Sequence, residues 1–326
     1  MDNTRRLGRS GIEVSALGLG TAGIGGPHWD RSIYKDRPLG YGQVDDAESI
    51  RALRRALELG INFFDTADEY GCGHAERILG RALAGYRDEV IIATKFGYTF
   101  EEASREVTGA DARPAYIRRA CEASLRRLDT DYIDLYWLHL RDLPLEQAAE
   151  VRETLEALVA EGKIRWYGWS TDDVARARFF AEGKHCTAVM HRFNMILDAP
   201  EMLVLCEEAD LASVNRIPLL MGILTGKHRD GLRLSEDDVR SVWFQGEHVQ
   251  RDIDRVEALR SVLTRDGRSL AQAALAWIWT RSERTIPVPG FKRIEHVESN
   301  AAAIDYGLLD EDQMVAVERV MRGDES

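Results

Sequence analysis

The sequence predicts an α/β protein of the (β/α)8 type, a TIM barrel with an N-terminal hairpin and two extra helices. Eight short strand-like runs alternate with amphipathic helical stretches, which is the pattern of a parallel sheet wrapped in helices. The 326 residues, of which 44% are hydrophobic, can bury a large core and suffice for one barrel of roughly 250 residues with insertions. Several apolar runs end in a polar residue, as barrel strands do where they form a site. We therefore expect a single domain over residues 1–326.

The predicted strands are short apolar runs bounded by polar, glycine or proline residues. In chain order they are Ala16–Gly20, Asn62–Asp65, Val90–Lys95, Tyr132–His139, Ile164–Ser170, Ala188–Asn194, Ala212–Ile217 and Arg284–Pro287. The segments between and after them repeat apolar residues with helical periodicity. They predict helices over Asp45–Leu59, Ala75–Leu83, Pro114–Leu128, Glu150–Glu161, Asp172–Ala181, Met202–Ala209, Ser269–Arg281 and Ile294–Ala303. Eight strands and eight helices close a (β/α)8 barrel.

Further segments lie outside this repeat. A hairpin is predicted around Arg9, Ser10 and Gly11, and extra helices over Asp252–Leu263 and Asp310–Met321. Three long loops follow strands, so we expect them on the catalytic face of the barrel. They are Gly25–Val44, Gly97–Arg113 and Leu219–Arg251.

Composition narrows the classes of partner. The net charge of −12 argues against a nucleic acid or an anionic membrane, and a phosphorylated ligand would need a local basic patch. No uncharged run approaches the ~18 residues of a membrane span, and the N-terminus lacks an apolar signal core. The four cysteines, at positions 72, 121, 186 and 206, have neither C-x-x-C nor metal-ligand spacing. We expect a cytoplasmic protein with reduced thiols and no metal site, whereas its oligomeric state is left open.

Four polar residues associated with the ends of apolar runs carry the predicted chemistry: Asp65, Tyr70, Lys95 and His139. A free phenol has a pKa of about 10, and a buried ammonium beside it would favour the phenolate and lower that value. Asp65 is the expected counter-charge of Lys95, because an unpaired buried ammonium is costly. A neutral His139 would hydrogen-bond and orient the substrate oxygen. This set suits proton delivery to a carbonyl group.

Each of these residues also has a structural alternative. Asp65 could cap the next helix, Tyr70 could be a rim aromatic, and Lys95 could be an exposed strand terminus. His139 could be a satisfied core histidine. The presence of such residues at four element ends favours a catalytic site.

The same motifs resemble those of the aldo-keto reductase superfamily. They are DTADEYG with Asp65 and Tyr70, ATKFG with Lys95, and DYIDLYWLH with His139. The resemblance extends from LGLGTAG through EGKIRWYGWS and PLLMGILTGK to PVPGFKRIEHVESNAAA, so it covers nearly the whole chain. It implies NADPH-dependent reduction of an aldehyde or ketone on a TIM barrel, with Tyr70 as the general acid and NAD as a possible cofactor.

Gly18, Gly20 and Gly23 in GLGTAG also satisfy the G-x-G-x-x-G pattern of a Rossmann fold. That motif requires a helix to begin at the last glycines, whereas the sequence here continues as a loop with glycines and prolines. We instead expect the glycines to let the backbone approach the nicotinamide end of the cofactor, with Gly20, Thr21 and Ala22 among the expected cofactor contacts.

The resemblance places further cofactor residues on the fifth and sixth strands. Ser170 matches the serine that hydrogen-bonds the nicotinamide carboxamide, although the usual asparagine after it is Thr171 here. Asn194 matches the family motif on the sixth strand, but Met190, four positions earlier, stands where the family has a glutamine. Because a thioether cannot donate, one carboxamide bond would be lost, or replaced through His191 or water.

A second departure is Arg216, where the family often has an aromatic residue stacked on the nicotinamide ring. The guanidinium could stack in the same way, or it could bind a neighbouring carboxylate. The following segment resembles the belt over the pyrophosphate. Its expected cofactor contacts are Pro218, Leu219, Gly222, Leu224 and Lys227.

The last cofactor motif, PGFKRIEHVESN, is expected to hold the adenosine end. Lys292, with Arg293 in reserve, is the predicted ligand of the 2′-phosphate, and a solvated basic pair is the alternative. The remaining contacts that the resemblance implies are Gly290, His296, Ser299 and Asn300.

Aromatic and polar side chains near the site predict the substrate pocket, although ordinary loop anchoring is the alternative. They are His28, Trp29, Tyr34, Trp169, Trp243 and Phe244. The walls suit a hydrophobic carbonyl or the apolar face of a sugar. Two other functions remain open at this point: an NAD-dependent sugar or alcohol dehydrogenase, and a nucleotide-binding regulatory barrel.

Overall fold

A parallel sheet of eight strands forms the centre of the protein, as the computed structural model shows for residues 2–33, 37–228 and 234–323. The strands are β1 (Leu19–Gly20), β2 (Phe63–Asp65), β3 (Ile91–Phe96), β4 (Ile133–Leu138), β5 (Ile164–Ser170), β6 (Cys186–Arg192), β7 (Ala212–Arg216) and β8 (Thr285–Pro287). They pair in sequence order, and the segment after β8 meets β1 through a parallel bridge between Gly20 and Gly290. This bridge brings the sheet around into a barrel, which confirms the predicted fold class.

The helices pack around the strands. They are α1 (Asp46–Glu58), α2 (His74–Leu83), α3 (Pro114–Leu128), α4 (Leu145–Ala160), α5 (Val174–Ala181), α6 (Pro200–Glu208), α7 (Arg240–Trp243), α8 (Glu247–Leu263), α9 (Leu270–Arg281), α10 (Ile294–Ala301), α11 (Ala303–Tyr306) and α12 (Glu311–Arg322). Asp45 accepts hydrogen bonds at the start of α1, and Ser269 and Asp310 form capping boxes at α9 and α12. None of the helices in the described ranges has the length and apolar character needed to cross a membrane.

Two apolar clusters hold the layers together. One lies between the strands and the helices, and the other fills the barrel with side chains such as Phe63, Trp137 and Val214. Leu7 and Val14 of the N-terminal hairpin belong to the inner cluster. The hairpin pairs Thr4–Arg6 with Glu13–Ser15, and Gly8 between them packs against the backbone at the starts of β6 and β7, so the hairpin closes the bottom of the barrel.

Several predicted boundaries shift. The structure begins α4 at Leu145 rather than Glu150, because Pro144 has the fixed φ that suits the residue before a helix. Similarly, α8 begins at Glu247 rather than Asp252. The sixth strand runs two residues earlier than predicted, as Cys186–Arg192, since the residues after it form a turn closed by Asn194.

Two of the three predicted long loops contain strands. Arg37–Pro38, Trp29–Asp30, Glu106–Ala110 and Tyr98–Glu101 form a four-stranded sheet in that order, which we call the mouth sheet. It hydrogen-bonds backbone N–H and C=O groups in the segments after β1 and β3. Where these segments are shielded from water, those groups would otherwise have no partner. The third segment contains a 3-10 helix over Leu220–Thr225 and the helix α7.

Candidate active site

The carboxyl ends of the strands open into a cleft of about 960 Å³. All four predicted catalytic side chains line it. Asp65 is the last residue of β2, and Lys95 lies in β3 opposite Trp137 of β4. His139 directly follows β4, where its backbone N–H donates to Phe96 O at 2.8 Å.

Lys95 and Asp65 form a buried ion pair at the floor of the cleft. The Lys95 Nζ atom lies 2.5 Å from Asp65 Oδ2 and 2.6 Å from the carbonyl oxygen of Thr66. The indole N–H of Trp137 donates to the other carboxylate oxygen at 3.2 Å. Because both side chains are nearly inaccessible to water, with exposures of 1% and 4%, each charge depends on the other.

Tyr70 lies over this pair, with Lys95 Nζ 5.0 Å from the centre of its ring. The turn that carries it packs tightly on the segment after β1. Gly71 has φ +61°, and a Cβ there would lie 1.9 Å from the carbonyl oxygen of Gly25. The close approach of these two backbones therefore requires glycine at position 71.

Burial raises the pKa of the Tyr70 phenol well above its usual value, and the nearby Asp65 and Glu69 carboxylates raise it further. We expected the Lys95 ammonium to lower this pKa, but its charge is directed at Asp65 and burial dominates. Tyr70 is therefore a protonated phenol at neutral pH, which is the form a proton donor requires.

His139 is a neutral imidazole, as expected. Burial lowers its pKa well below the usual value, and the positive charges of Lys95, Arg141 and Arg216 add to this effect. The ring lies edge-on to Tyr70 and to Tyr98, with ring centres 6.2 Å and 5.3 Å apart. These aromatic contacts hold the imidazole at the wall of the cleft.

Most of the residues predicted to bind the cofactor line the other half of the same cleft. They are Gly20, Ala22, Ser170, Met190, Arg216, Pro218, Leu219, Gly222, Lys227, Gly290, Lys292, His296, Ser299 and Asn300. The Oγ atom of Ser170 is buried and makes no hydrogen bond within the described part of the chain. It is an unsatisfied polar atom at the position where a polar ligand group was expected.

The backbone of the segment after β7 is strained. Ile217, Leu220 and Met221 have φ values of 50°, 45° and 49°, a region that non-glycine residues rarely adopt. Such strain of order 1–3 kcal/mol per residue is typical of ligand-binding segments. Consecutive turns of this kind can aim backbone N–H groups at an anion.

Arg216 takes the second of its two predicted alternatives. Its guanidinium binds the Asp172 carboxylate at 2.5 Å, and Arg192 binds the same oxygen at 2.8 Å. Burial lowers the pKa of Arg216 to about 10, against the opposing influence of Asp172. The side chain lines the cleft while it is bound to Asp172.

The His191 ring is already engaged within the protein. Its Nε2 lies 2.7 Å from Ser213 Oγ and its Nδ1 lies 3.1 Å from Arg192 O, so both ring nitrogens already have partners. Met190 itself faces the cleft beside Ser170, its neighbour across β5 and β6.

Lys292 has partners of its own. Its ammonium donates to the carbonyl oxygen of Tyr41, and to that of Gln43 at 3.2 Å. Partial burial lowers its pKa. The side chain thus joins the segment before α1 to the end of the cleft where Lys227 and Arg293 also lie.

Four residues expected at the cofactor do not line the cleft. The Asn194 side chain closes a turn, donating to Ile217 O and accepting from the N–H groups of Ile196 and Leu197. Thr171 donates to Arg141 O. Leu224 is buried in the outer core, and Thr21 is buried beside β2, to which its N–H donates.

Three of the predicted substrate contacts are likewise elsewhere. Trp169 donates to Leu140 O and packs on Phe180, so it belongs to the layer between strands and helices. Trp29 lies in the mouth sheet under the Arg31 guanidinium, and His28 is buried against Gly26 and Glu69. Trp243 and Phe244 do line the cleft, whereas Tyr34 lies outside the described residues.

Several residues that line the cleft are not among those predicted from the sequence. Tyr98 lies in the mouth sheet and Tyr41 in an isolated bridge to Asp238, both in segments that the sequence predicts as loops. Glu69 precedes Tyr70, so its proximity to the site was a usable signal. Arg141 follows His139 by two positions, which also places it at the end of a strand.

The fold and the site define a barrel enzyme that acts on carbonyl or alcohol groups: an ion-paired lysine, a protonated phenol and a neutral imidazole meet at the carboxyl ends of the strands. Within that class, the chain belongs to the aldo/keto reductase family, whose model matches residues 16–322. Members of this family are oxidoreductases that use NAD(P)H. The predicted resemblance is thereby confirmed.

Three relatives illustrate the match. A probable aldo-keto reductase 1 of Glycine max is 33% identical, covering 98% of this chain and 89% of the relative. The structure of a glycerol dehydrogenase of Gluconobacter oxydans superimposes with a TM-score of 0.83 at 28% identity, covering 98% and 95% of the two chains. An aldo-keto reductase of Klebsiella pneumoniae, solved in complex with NADPH, gives a TM-score of 0.72 at 29% identity and covers 98% and 96%.

Proposed function

We propose that the protein reduces an aldehyde or ketone to an alcohol with NADPH, with Tyr70 as the general acid. The observation that carries this proposal is the convergence of Asp65, Tyr70, Lys95 and His139 in one cleft, with the phenol held protonated. The complex of the Klebsiella pneumoniae relative with NADPH supports the choice of cofactor.

The residues of the cleft fit a dinucleotide. Ser170 offers an unsatisfied buried hydroxyl for the carboxamide, and a Cβ on Gly290 would meet nothing nearer than Gly20 O at 3.9 Å, so this wall is open. The strained segment of residues 217–222 would meet the pyrophosphate with its N–H groups, and Lys292 the 2′-phosphate. When bound, NADPH supplies the hydride.

Side chains of the protein supply the proton and stabilise the charge that its transfer leaves behind. Tyr70 Oη would donate it to the carbonyl oxygen, and the Lys95 ammonium would stabilise the phenolate that remains. Asp65 holds the Lys95 ammonium in place, while the neutral His139 orients the substrate by a hydrogen bond. The Tyr98 ring packs against His139, with ring centres 5.3 Å apart, and Trp243 lines the same cleft.

Steady-state NADPH oxidation with a panel of aldehydes and ketones tests the proposal. Activity that disappears in Tyr70→Phe, while that variant still binds NADPH in a fluorescence titration, is the expected result. If the protein binds NADPH but no carbonyl in the panel causes its oxidation, the nucleotide-binding regulatory barrel becomes the better interpretation.

A second candidate is oxidation of a sugar or an alcohol with NAD at the same site. It is favoured by the engagement of Lys292 with the carbonyl oxygens of Tyr41 and Gln43, which competes with a phosphate ligand. The likeness to a glycerol dehydrogenase also supports it. Titration with NADPH and NADH separates the two candidates, because only the first requires the 2′-phosphate to be recognised.

A further inference from the structure

Arg216 lines the cleft at the end of β7, and it shares its counter-charge with a second arginine. Its Nη2 atom lies 2.5 Å from Oδ2 of Asp172, and Nε of Arg192 lies 2.8 Å from the same oxygen. Both arginines line the cleft, whereas Asp172 does not. This part of the cleft wall therefore carries two positive charges, and the single negative charge that they share lies outside it.

The Arg216 guanidinium is more enclosed than that of Arg192. The two side chains are 18% and 45% exposed. Nε of Arg216 is buried and makes no hydrogen bond to any residue that the structure describes. Burial lowers the pKa of Arg216 to about 10, so the group still carries its charge at neutral pH. Because little water surrounds this charge, it is weakly screened and acts more strongly on its neighbours than an exposed charge does.

The charge of Arg216 reaches the reacting groups, which line the same cleft. Burial and nearby carboxylates raise the pKa of Tyr70, and the positive charge of Arg216 opposes that rise. Burial lowers the pKa of His139, and the charges of Lys95 and Arg216 contribute to this. Arg192 is not among the main charges that act on either group. Of the two arginines on Asp172, Arg216 is thus the one that acts on the site of reaction.

The reaction determines where the nicotinamide must lie relative to Arg216. Hydride transfer requires the donor carbon and the carbonyl carbon to be about 3–3.5 Å apart, and the oxygen of that carbonyl receives the proton of Tyr70. The nicotinamide ring therefore binds close to a group that the charge of Arg216 already reaches. This step rests on the proposed function, because it takes Tyr70 as the acid.

Turnover changes the charge of the nicotinamide. A hydride passes from NADPH to the carbonyl carbon and a proton from Tyr70 to the carbonyl oxygen, so the ring is neutral before the step and carries one positive charge after it. While Tyr70 is a phenolate, Arg216 stabilises that anion and repels the ring, and the two effects oppose each other. Once Tyr70 has taken a proton from water, only the repulsion remains.

We propose that Arg216 makes the site discriminate between the two redox states of the cofactor, by weakening the binding of NADP+ relative to that of NADPH. It thereby promotes release of the oxidised cofactor after the alcohol has formed. The 2′-phosphate and the pyrophosphate are identical in the two forms, so the contacts expected from Lys292 and from residues 217–222 cancel in the comparison. Arg216 is then a specificity-determining residue for the redox state of the cofactor.

The test is equilibrium binding of NADPH and of NADP+ in the absence of a carbonyl substrate, followed by the quenching of tryptophan fluorescence. The wild type should bind NADPH more tightly. In Arg216→Gln, the ratio of the Kd for NADP+ to the Kd for NADPH should fall by about tenfold, the order expected for one weakly screened charge near the ring. The variant leaves Asp172 paired with Arg192, so no carboxylate loses all of its partners.

Two further variants separate the charge at the site from other effects. Arg192→Gln removes a positive charge from the same oxygen of Asp172 but leaves Arg216 in place, so the ratio of Kd values should stay close to that of the wild type. Arg216→Lys keeps the charge and loses the planar guanidinium, so it should retain most of the ratio. If Arg216 acted by stacking on the ring, the lysine variant would behave like the glutamine variant.

The proposal is overturned by a wild-type ratio near one, by an unchanged ratio in Arg216→Gln, or by an equal loss in Arg192→Gln or Arg216→Lys. None of these measurements requires turnover, so they are independent of the test of the proposed function. A ratio that depends on Arg216 in a protein that reduces no carbonyl would support the inference and contradict the proposed function. A ratio independent of Arg216 in an enzyme that Tyr70→Phe inactivates would do the reverse.

Discussion

The two halves of the cleft differ in how their polar groups are satisfied. Around β2, β3 and β4, the side chains bind one another: both Lys95 and Trp137 donate to the Asp65 carboxylate. Around β5 to β8, Ser170 has no partner among the described residues, while Arg216 and Lys292 are bound to other groups of the protein. The catalytic half is thus organised by the strands themselves, and the cofactor half by loops whose contacts a ligand must complete or replace.

The two halves of the cleft also differ in how much their polar contacts contribute to stability. The ion pair of Lys95 and Asp65 contributes to the fold as well as to the chemistry, because each partner would be an uncompensated charge without the other. The contacts of Lys292 lie at the surface of the cleft and cost little to exchange. Changes in the first half should therefore affect both turnover and stability, and changes in the second half mainly affinity.

Lys95→Met should have the largest effect. Turnover should become undetectable, because the phenolate of Tyr70 loses its stabilising charge, and the free energy of unfolding should fall by about 3–5 kcal/mol, because Asp65 is left buried and unpaired. Urea unfolding and NADPH oxidation measure the two effects. In the control Asp65→Asn/Lys95→Met, most of the stability should return but none of the activity. Substantial turnover in either protein would show that Tyr70 is supported by another group.

Tyr70→Phe should separate chemistry from binding. We expect kcat to fall by about 10²-fold or more, since a positioned acid contributes ~10² to 10⁴. The affinity for NADPH and the free energy of unfolding should change little. Because the pKa of Tyr70 is raised, the wild-type reductase should show no loss of rate from its ionisation up to about pH 9. A rate that falls with a midpoint near pH 7 in the wild type but not in Tyr70→Phe would contradict this.

The same contrast explains what could be predicted from the sequence. Asp65, Lys95 and His139 are fixed by strand ends, and strand ends follow from apolar periodicity together with the barrel topology. Trp169 was misplaced because a residue beside a strand terminus can face either the cleft or the helices, and one residue of register reverses the choice. The mouth sheet was missed because its strands of two to five residues are stabilised by pairing between distant segments, which no local pattern encodes.

The partners of the long side chains could not be predicted either. Lys292 and Arg216 line the cleft, but their hydrogen bonds depend on Tyr41 and Asp172, which are far away in sequence. Glu69 also lines the cleft, and it could not be predicted because its neighbours His28 and His139 lie on two other segments.

Lys292→Ala should have a smaller and selective effect. NADPH affinity should fall by about tenfold to hundredfold, as expected for one charged contact to phosphate, and NADH affinity should fall much less. The difference should narrow at high salt, because screening weakens a partly exposed contact. Lys184→Ala, which removes the same charge from an exposed position elsewhere on the surface, is the control. An equal loss for both cofactors would mean that Lys292 acts only by holding residues 41–43, and the NAD-dependent alternative would then lead.

Met190→Gln should change NADPH affinity the least, and it should increase that affinity rather than lower it. Met190 pairs with Ser170 across β5 and β6 and faces the same cleft, so a glutamine there would set its amide beside the free Oγ of Ser170. If the nicotinamide carboxamide binds at this point, the new amide should tighten NADPH binding by about twofold to tenfold, the range of one net hydrogen bond. Without cofactor the same amide is buried with too few partners, so the free energy of unfolding should fall by about 1–3 kcal/mol. Met190→Leu preserves volume and apolarity and should change neither quantity by much. If Met190→Gln bound NADPH no more tightly than Met190→Leu, the carboxamide would have to lie elsewhere in the cleft. The way this protein holds the nicotinamide would then differ from that of the family that its motifs resemble.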